Sequence, residues 1–120
     1  LALEQQVLKT LTYGAEGKVA SIAITNQMKE ETGAGEDEVG AFSGFPRDIA
    51  GVEVGIVMKE DDKGGWRVSM RSNEYVDVSK ICQSLGGGGH VRASGCRLEG
   101  PLEEVRSKLM DLAAQAAMER

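Results

Sequence analysis

The chain has 120 residues, of which 41% are hydrophobic and 28% are charged. This is typical of one globular domain, and no apolar run reaches the roughly 18 residues of a membrane span. The formal net charge of −5 argues against a protein that binds nucleic-acid strands in general, because those strands are also negatively charged. The start, LALEQQVLKT, lacks an initiator Met and the pattern of a signal peptide, so we expect a piece of a longer cytoplasmic protein.

The first half of the chain contains signals for helices and one strand. Apolar residues in positions 1–13 recur at helical spacing, and KVASIAIT at 18–25 is rich in strand formers. A turn is expected at 32–35, followed by a helix whose first turn carries three acidic residues. Pro46 should interrupt or end that helix.

Two alternating segments predict a β-hairpin. GVEVGIVMK and WRVSMRS each alternate apolar and other residues, and DDKGG between them is a turn sequence. In the second segment one face is apolar and the other is polar, the polar face being formed by Arg67, Ser69 and Arg71. We therefore expect two arginines and a serine on one face of this hairpin.

The second half predicts a short helix, a glycine loop, a strand and a long helix. Asp77 is a good N-cap, and Gly86 stands where a helix end favours a left-handed residue. A short strand is expected near 96–98, and Pro101 should open the last helix. Cys82 and Cys96 lack the spacing of a metal site or redox pair, which predicts free thiols.

Interspersed helices and strands indicate an α/β class fold. We predict a single domain with a mixed sheet of about four to five strands packed by helices. We assign residues 1–17 to a linker helix from a preceding domain and residues 18–120 to the domain itself.

The charge is unevenly distributed. Between Lys63 and Arg97 there are six basic residues and two acidic ones, so this segment carries +4 and the rest of the chain −9. A basic patch within an acidic protein favours an anionic ligand. Ordinary variation in surface charge is the alternative.

The segment LGGGGHVRASGC at 85–96 contains the main candidate site. Four glycines oppose folding, but they allow close backbone approach and an anion-binding nest of N–H groups. The segment matches neither a Rossmann fingerprint nor a P-loop. Its histidine can donate to phosphate in either protonation state. The candidates are Gly86, Gly87, Gly88, Gly89 and His90. The alternatives are a flexible turn and a packing histidine.

The polar face of the hairpin contains the second set of candidates. Arg71 can offer a planar fork to a phosphate, with Ser69 on the same face and Ser72 at the strand end. Arg92 is a weaker candidate. A solvated strand face is the alternative. We find no metal-ligand cluster around His90.

The ordered set VEVGIVMK, RVSMRS and VDVSKICQSLGGGGHVRASGC, preceded by PRDI, resembles the C-terminal DHH-associated domain of the DHH phosphoesterases. The resemblance runs from about Lys18 to Met118 and favours the bacterial nanoRNase and pAp phosphatase subgroup. Its most specific element is GGGGH followed by A-x-G, at the expected distance after S-x-R-S.

The resemblance implies a fold, partners and roles. A DHH catalytic domain in cis would hold two divalent metals, usually manganese, that activate water for phosphoester hydrolysis. The present domain would grip short oligonucleotides or the bisphosphate pAp. The glycine loop with His90 would contact phosphate, and Arg71 with its neighbouring serines would contact phosphate or the terminal nucleotide. Dimerisation of the parent protein would involve the missing domain.

The chain departs from the family pattern because it contains no DHH motif and only one histidine. We therefore expect the isolated chain to hold no two-metal centre and to hydrolyse nothing. The alternative functions are those of a cyclic-dinucleotide phosphodiesterase relative, a single-strand exonuclease relative, or a nucleic-acid-binding module without hydrolase activity. The A-x-G element favours the nanoRNase type over the cyclic-dinucleotide type.

Overall fold

A computed structural model describes residues 2–119, which form one mixed sheet with helices on both faces. The strands are β1 (Thr12–Gly14), β2 (Val19–Ile24), β3 (Val54–Glu60), β4 (Trp66–Ser72), β5 (Gly88–His90) and β6 (Ala93–Leu98). Their order is β1-β2-β3-β4-β6-β5; β2 and β3 are parallel and all other neighbours are antiparallel. The α/β class and the mixed sheet are confirmed, with six strands rather than four or five.

The helices form two layers that cover different parts of the sheet. They are α1 (Ala2–Leu8), α2 (Asn26–Thr32), α3 (Glu36–Gly40), α4 (Phe45–Asp48), α5 (Val78–Ser84) and α6 (Leu102–Met118). Side chains of α5 and α6 pack with β2, β3 and β4 in the larger core, and α1 and α3 pack with β2 and β3 in the smaller one. The first layer covers one face of the sheet, and the second covers only the β2–β3 part of the other.

This uneven cover explains the sequence patterns of the strands. β2 is buried along its whole length because helices lie on both of its faces, whereas β4 alternates between buried and more exposed residues. Trp66, Val68 and Met70 are buried in the larger core, as predicted. The polar face of β4 is therefore the open one, and the predicted hairpin of β3 and β4 is confirmed in full register.

The N-terminal part differs from the prediction. The helix expected over 1–13 ends at Leu8, and Thr12–Gly14 form an edge strand instead. Leu3 and Val7 are buried in the smaller core, so this part packs with the rest of the fold. Leu1 lies outside the described residues. A linking role for residues 1–17 stays a prediction.

Two further details of the first half were not predicted correctly. The helix α2 was missed, although Thr25 caps it by accepting a hydrogen bond from the Met28 N–H at 3.1 Å. Pro46 does not end the acidic helix, which has already stopped at Gly40, but lies in the first turn of α4. A proline fits there because the first turn needs no intrahelical N–H donor.

The glycine run forms a helix cap and an edge strand, so the prediction of a glycine loop is wrong. The Gly86 N–H donates to the Gln83 carbonyl at 3.1 Å and the Gly87 N–H donates to the Cys82 carbonyl at 2.8 Å, which is the Schellman pattern. Gly86 has the expected positive φ of 87°. Gly88 and the residues after it then pair with β6.

Gly87 lies against β6 with no room for a side chain. A Cβ there would be 2.1 Å from the carbonyl oxygen of Gly95 and 2.7 Å from the Cβ of Cys96. Cys96 and the buried Cys82 are both free thiols, as predicted. The hydrogen bond with Cys96, together with burial, raises the pKa of the Cys82 thiol, so this thiol stays neutral. Within residues 2–119 no helix has the length and apolar character needed to cross a membrane.

We expect Gly87→Ala to lower the free energy of unfolding by about 2–3 kcal/mol, because the methyl group must displace the β6 backbone. Gly40→Ala is the matched control, since a Cβ there meets nothing within 4 Å. Its effect should be neutral or slightly stabilising. Urea unfolding followed by circular dichroism measures both. Equal stability of Gly87→Ala and the control would contradict the close approach.

Candidate functional site

A shallow cleft of about 280 Å³ lies on the open face of the sheet. Its lining comes from three neighbouring strands and consists of Ser69, Met70, Arg71, Gly88, Gly89, Ala93, Ser94 and Gly95. Because β6 pairs with β4 on one side and β5 on the other, it brings two segments together that are distant in sequence. Four predicted site residues, Ser69, Arg71, Gly88 and Gly89, therefore line one cleft.

The strand register places the candidates in rows across the sheet. In one row, Ala93 of β6 lies between Arg71 of β4 and His90 of β5. In the other row, Gly95 of β6 lies between Ser69 of β4 and Gly88 of β5. Residues that are directly opposed on neighbouring strands share a face. The small residues between the two candidate segments leave the backbone accessible.

Arg71 is the charged group of this cleft. Its side chain is half-buried and makes no hydrogen bond or ion pair with any residue from 2 to 119. A guanidinium has five donors in a rigid fork that matches phosphate and carboxylate geometry. The cleft thus offers an uncompensated cation to an anionic ligand.

His90 lies at the far end of the same row and outside the residues that line the cleft. It is exposed, and its backbone carbonyl accepts a hydrogen bond from the Ser94 hydroxyl at 2.7 Å. This bond ties the end of β5 to β6. The imidazole makes no hydrogen bond with residues 2–119, so it can donate to a ligand that extends beyond the cleft.

Ser72 and Arg92 have structural partners within the chain. The Ser72 hydroxyl donates to the carbonyl of Val76 at 2.6 Å, and Arg92 Nη1 donates to the same carbonyl at 2.5 Å. Arg92 Nη2 also donates to the Glu74 carbonyl at 2.7 Å. The structure thus places these two predicted ligand residues in a network that holds the 73–76 loop, away from the cleft.

Gly86 and Gly87 are also outside the cleft. Their N–H groups donate to carbonyls of α5, so they do not form the predicted nest of free successive donors. The backbone available to a ligand is that of Gly88 and Gly89, on an edge strand with one unpaired side.

Glu53 is an important residue that the sequence reasoning missed. It is 5% exposed, and its carboxylate accepts hydrogen bonds from the N–H groups of Glu74, Tyr75 and Val76 at 2.9 to 3.1 Å. Burial raises the pKa of this carboxyl, but the three N–H groups and the charge of Arg92 outweigh burial and hold the pKa below its ordinary value. An acid at the start of the apolar segment VEVGIV was the available signal.

A family model for the DHHA1 domain matches residues 10–119. The chain belongs to the DHHA1 domain family. The resemblance to the DHH-associated domain is thereby confirmed over nearly the whole described chain.

Curated relatives of this DHHA1 domain include two oligoribonucleases. The bifunctional oligoribonuclease and PAP phosphatase NrnA of Thermus thermophilus is 36% identical over 95 residues, which are 79% of this chain and 28% of that protein. Oligoribonuclease NrnB of Bacillus subtilis is 46% identical over 43 residues, which are 35% of this chain and 11% of that protein. The chain thus spans less than a third of either relative.

Solved structures share the fold of this DHHA1 domain. An exopolyphosphatase-related protein from Bacteroides fragilis superposes with a TM-score of 0.82 at 22% identity, over 97% of this chain and 35% of that one. A pGpG-specific phosphodiesterase, PggH, from Vibrio cholerae gives a TM-score of 0.65 at 14% identity, over 98% of this chain and 38% of that one. At these identities the likeness establishes the fold alone.

The described residues do not fit a two-metal centre. Among residues 2–119 no group of three or more His, Cys, Asp or Glu side chains could hold a metal ion. His90, the one histidine of the sequence, lies in a row with Arg71.

We expect Glu53→Gln to lower the free energy of unfolding by about 2–4 kcal/mol at pH 7, because an amide replaces a carboxylate that accepts three buried N–H groups. The folded-state pKa of Glu53 is lowered, so its stabilisation is present above the unfolded pKa of about 4.3 and is lost as the pH falls below it. Because Glu53→Gln cannot titrate at this position, its free energy of unfolding should fall less than that of the wild type when the pH is lowered. Chemical denaturation between pH 7 and pH 3 measures it.

Glu38→Gln is the control for this prediction, since Glu38 is exposed. It should change stability by less than about 0.5 kcal/mol. If Glu53→Gln were as stable as this control across the pH range, the proposed support of the 73–76 loop by Glu53 would be wrong.

Proposed function

We propose that this DHHA1 domain binds the phosphate groups of short oligonucleotides or nucleoside bisphosphates. In a longer protein it would present them to a DHH catalytic domain for hydrolysis. The observation that carries the proposal is the unpaired Arg71 guanidinium in a cleft floored by Gly88 and Gly89.

Each group in the cleft has a defined part in binding. The guanidinium of Arg71 donates a pair of hydrogen bonds to phosphate oxygens and supplies the charge. The hydroxyl of Ser69 adds a further donor beside it. Glycine at 88 and 89 lets the ligand approach the backbone, and His90 donates to a ligand atom at the end of the row.

Contacts of this kind recognise phosphate rather than base sequence. The cleft is small, and the net charge of the chain is −5, so a long strand gains little by extending beyond it. Short phosphorylated ligands are therefore favoured over general nucleic-acid binding.

The curated relatives support a hydrolase as the parent protein, since both are named as oligoribonucleases. The catalytic chemistry would then lie in a domain that supplies two divalent metals, which we take to be manganese, within the cytoplasm. Any dimerisation of the parent would involve that domain. No observation on the cleft favours a cyclic dinucleotide or a long strand as the ligand.

We expect the chain to bind a 5′-phosphorylated dinucleotide and pAp, and Arg71→Ala to weaken binding by about tenfold or more, because one charge-assisted bidentate contact is removed. Arg67→Ala is the matched control: Arg67 is on the same strand and the same predicted face but outside the cleft. Its effect should stay below about threefold. NMR titration of the backbone amides measures affinity and location together.

The outcome that would contradict this function is also defined. If the amides of Gly88, Gly89 and Ser94 do not shift while residues elsewhere do, the cleft is not the site. Equal losses of affinity in Arg71→Ala and Arg67→Ala would mean that the nucleotide is held only by general charge attraction.

We expect the isolated chain not to hydrolyse pAp or a dinucleotide when Mn²⁺ is added, since residues 2–119 offer no ligand set for a two-metal centre. Chromatography of the nucleotide products after long incubation measures this. Product formation that copurifies with the chain would contradict the division of labour between two domains.

A further inference from the structure

A second arginine lies on the open face of the sheet next to Arg71, and a glycine places it there. Gly55 of β3 is directly opposite Arg71 of β4. A Cβ on Gly55 would lie 2.3 Å from the backbone nitrogen of Arg47 and 2.8 Å from its Cα. The first residues of α4 therefore rest on the sheet at the neighbour of Arg71, on the same face.

One guanidinium nitrogen of Arg47 and one of Arg71 lie close to Gly44. A Cβ at Gly44 would lie 3.4 Å from Arg47 Nη2 and 3.9 Å from Arg71 Nη1. Both nitrogens thus border one small space, and a tetrahedral phosphate with oxygens on opposite sides can reach both.

The position of Arg47 is held by its surroundings. The Asn73 amide, just beyond the end of β4, donates to the Arg47 carbonyl at 3.0 Å and to the Val52 carbonyl at 2.7 Å. Arg47 also pairs with Asp48 at 3.2 Å. Its backbone is thereby anchored to the residue that follows the strand carrying Arg71.

The charges at this point do not balance. Two guanidinium groups and one carboxylate border this position, since Asp48 Oδ2 would also lie 3.6 Å from a Cβ at Gly44. One positive charge is left uncompensated, and like charges at short range are unfavourable unless an anion lies between them. A terminal phosphate monoester carries about −1.5 to −2 at pH 7 and offers three acceptor oxygens. A phosphodiester carries one negative charge.

We propose that Arg47 and Arg71 clamp a single terminal phosphate monoester, so that Arg47 is a binding residue that makes the domain prefer phosphorylated nucleotide ends over internal phosphodiesters. This rests on the proposed function, since it assigns a subsite that borders the same cleft at Arg71. Gly44 leaves the space open and Gly55 sets its width. Toward the edge of the sheet, the row continues from Arg71 through Ala93 to His90. Three strand spacings separate Gly55 from His90, about 14 Å, and this length suits the rest of a dinucleotide.

The test compares two dinucleotides that differ only in the terminal phosphate, pApA and ApA, by NMR titration of the 120-residue chain. The wild-type chain should bind pApA more tightly. Arg47→Ala should weaken pApA by about tenfold and ApA by less than about twofold. Arg47→Lys keeps the charge but loses the fork, and it should recover only part of the affinity. Arg67→Ala should not change the preference.

The two arginines should also be coupled. If they hold one phosphate, Arg47→Ala combined with Arg71→Ala should weaken pApA by less than the product of the two single effects. Thermal unfolding of each variant checks that the fold is kept, and little change is expected because Arg47 is partly exposed and its partner Asp48 is exposed.

Failure of the proposed function and failure of the two-arginine clamp would give different results. No binding of either dinucleotide to the wild-type chain would overturn the proposed function and this inference together. Binding in the cleft with an unchanged preference for pApA in Arg47→Ala would overturn the clamp alone. Inorganic phosphate is the third probe, and binding of it as tight as that of pApA would overturn the assignment to a nucleotide end.

Discussion

The pairing of β6 with β4 on one side and β5 on the other is the interaction on which the site depends. It brings Arg71 and the glycine strand to opposite sides of three small residues, and neither segment could form the cleft alone. Gly87 permits it, because the chain leaves α5 so close to β6 that a Cβ would overlap the Gly95 carbonyl. The glycine run therefore has a structural reason as well as the proposed functional one.

The uneven helix cover leaves the face of the sheet that carries the cleft open to solvent. Helices α5 and α6 bury one face of the sheet, while α1 to α4 leave the other face of β4, β6 and β5 open. The edge of that second layer is α4, which rests on Gly55 and brings Arg47 beside Arg71. A fully covered sheet would have required apolar residues where the arginine and serine of β4 now stand.

Polar groups in this part of the fold divide into two sets. Glu53, Ser72, Asn73 and Arg92 are hydrogen-bonded within the chain and hold the loop that follows β4. Arg71 has no such partner among residues 2–119. The first set keeps the end of β4 in place, and Arg71 is the residue that we propose binds a ligand. Residue type does not separate the two sets, because Arg71 and Arg92 are chemically identical.

The sequence by itself determined what depends on neighbouring residues: the hairpin from its alternation, α5 from the Asp77 cap, and the end of α5 from Gly86. It also indicated Ser69, Arg71, Gly88 and Gly89 as candidate site residues, in two separate segments. The tertiary structure decided what depends on distant residues. It made the short strands β1 and β5, which have no periodicity of their own, by pairing them with neighbours. It also engaged Arg92 and left Arg71 free, because the partner of a charged side chain is set by which backbone carbonyls and carboxylates the fold brings within reach.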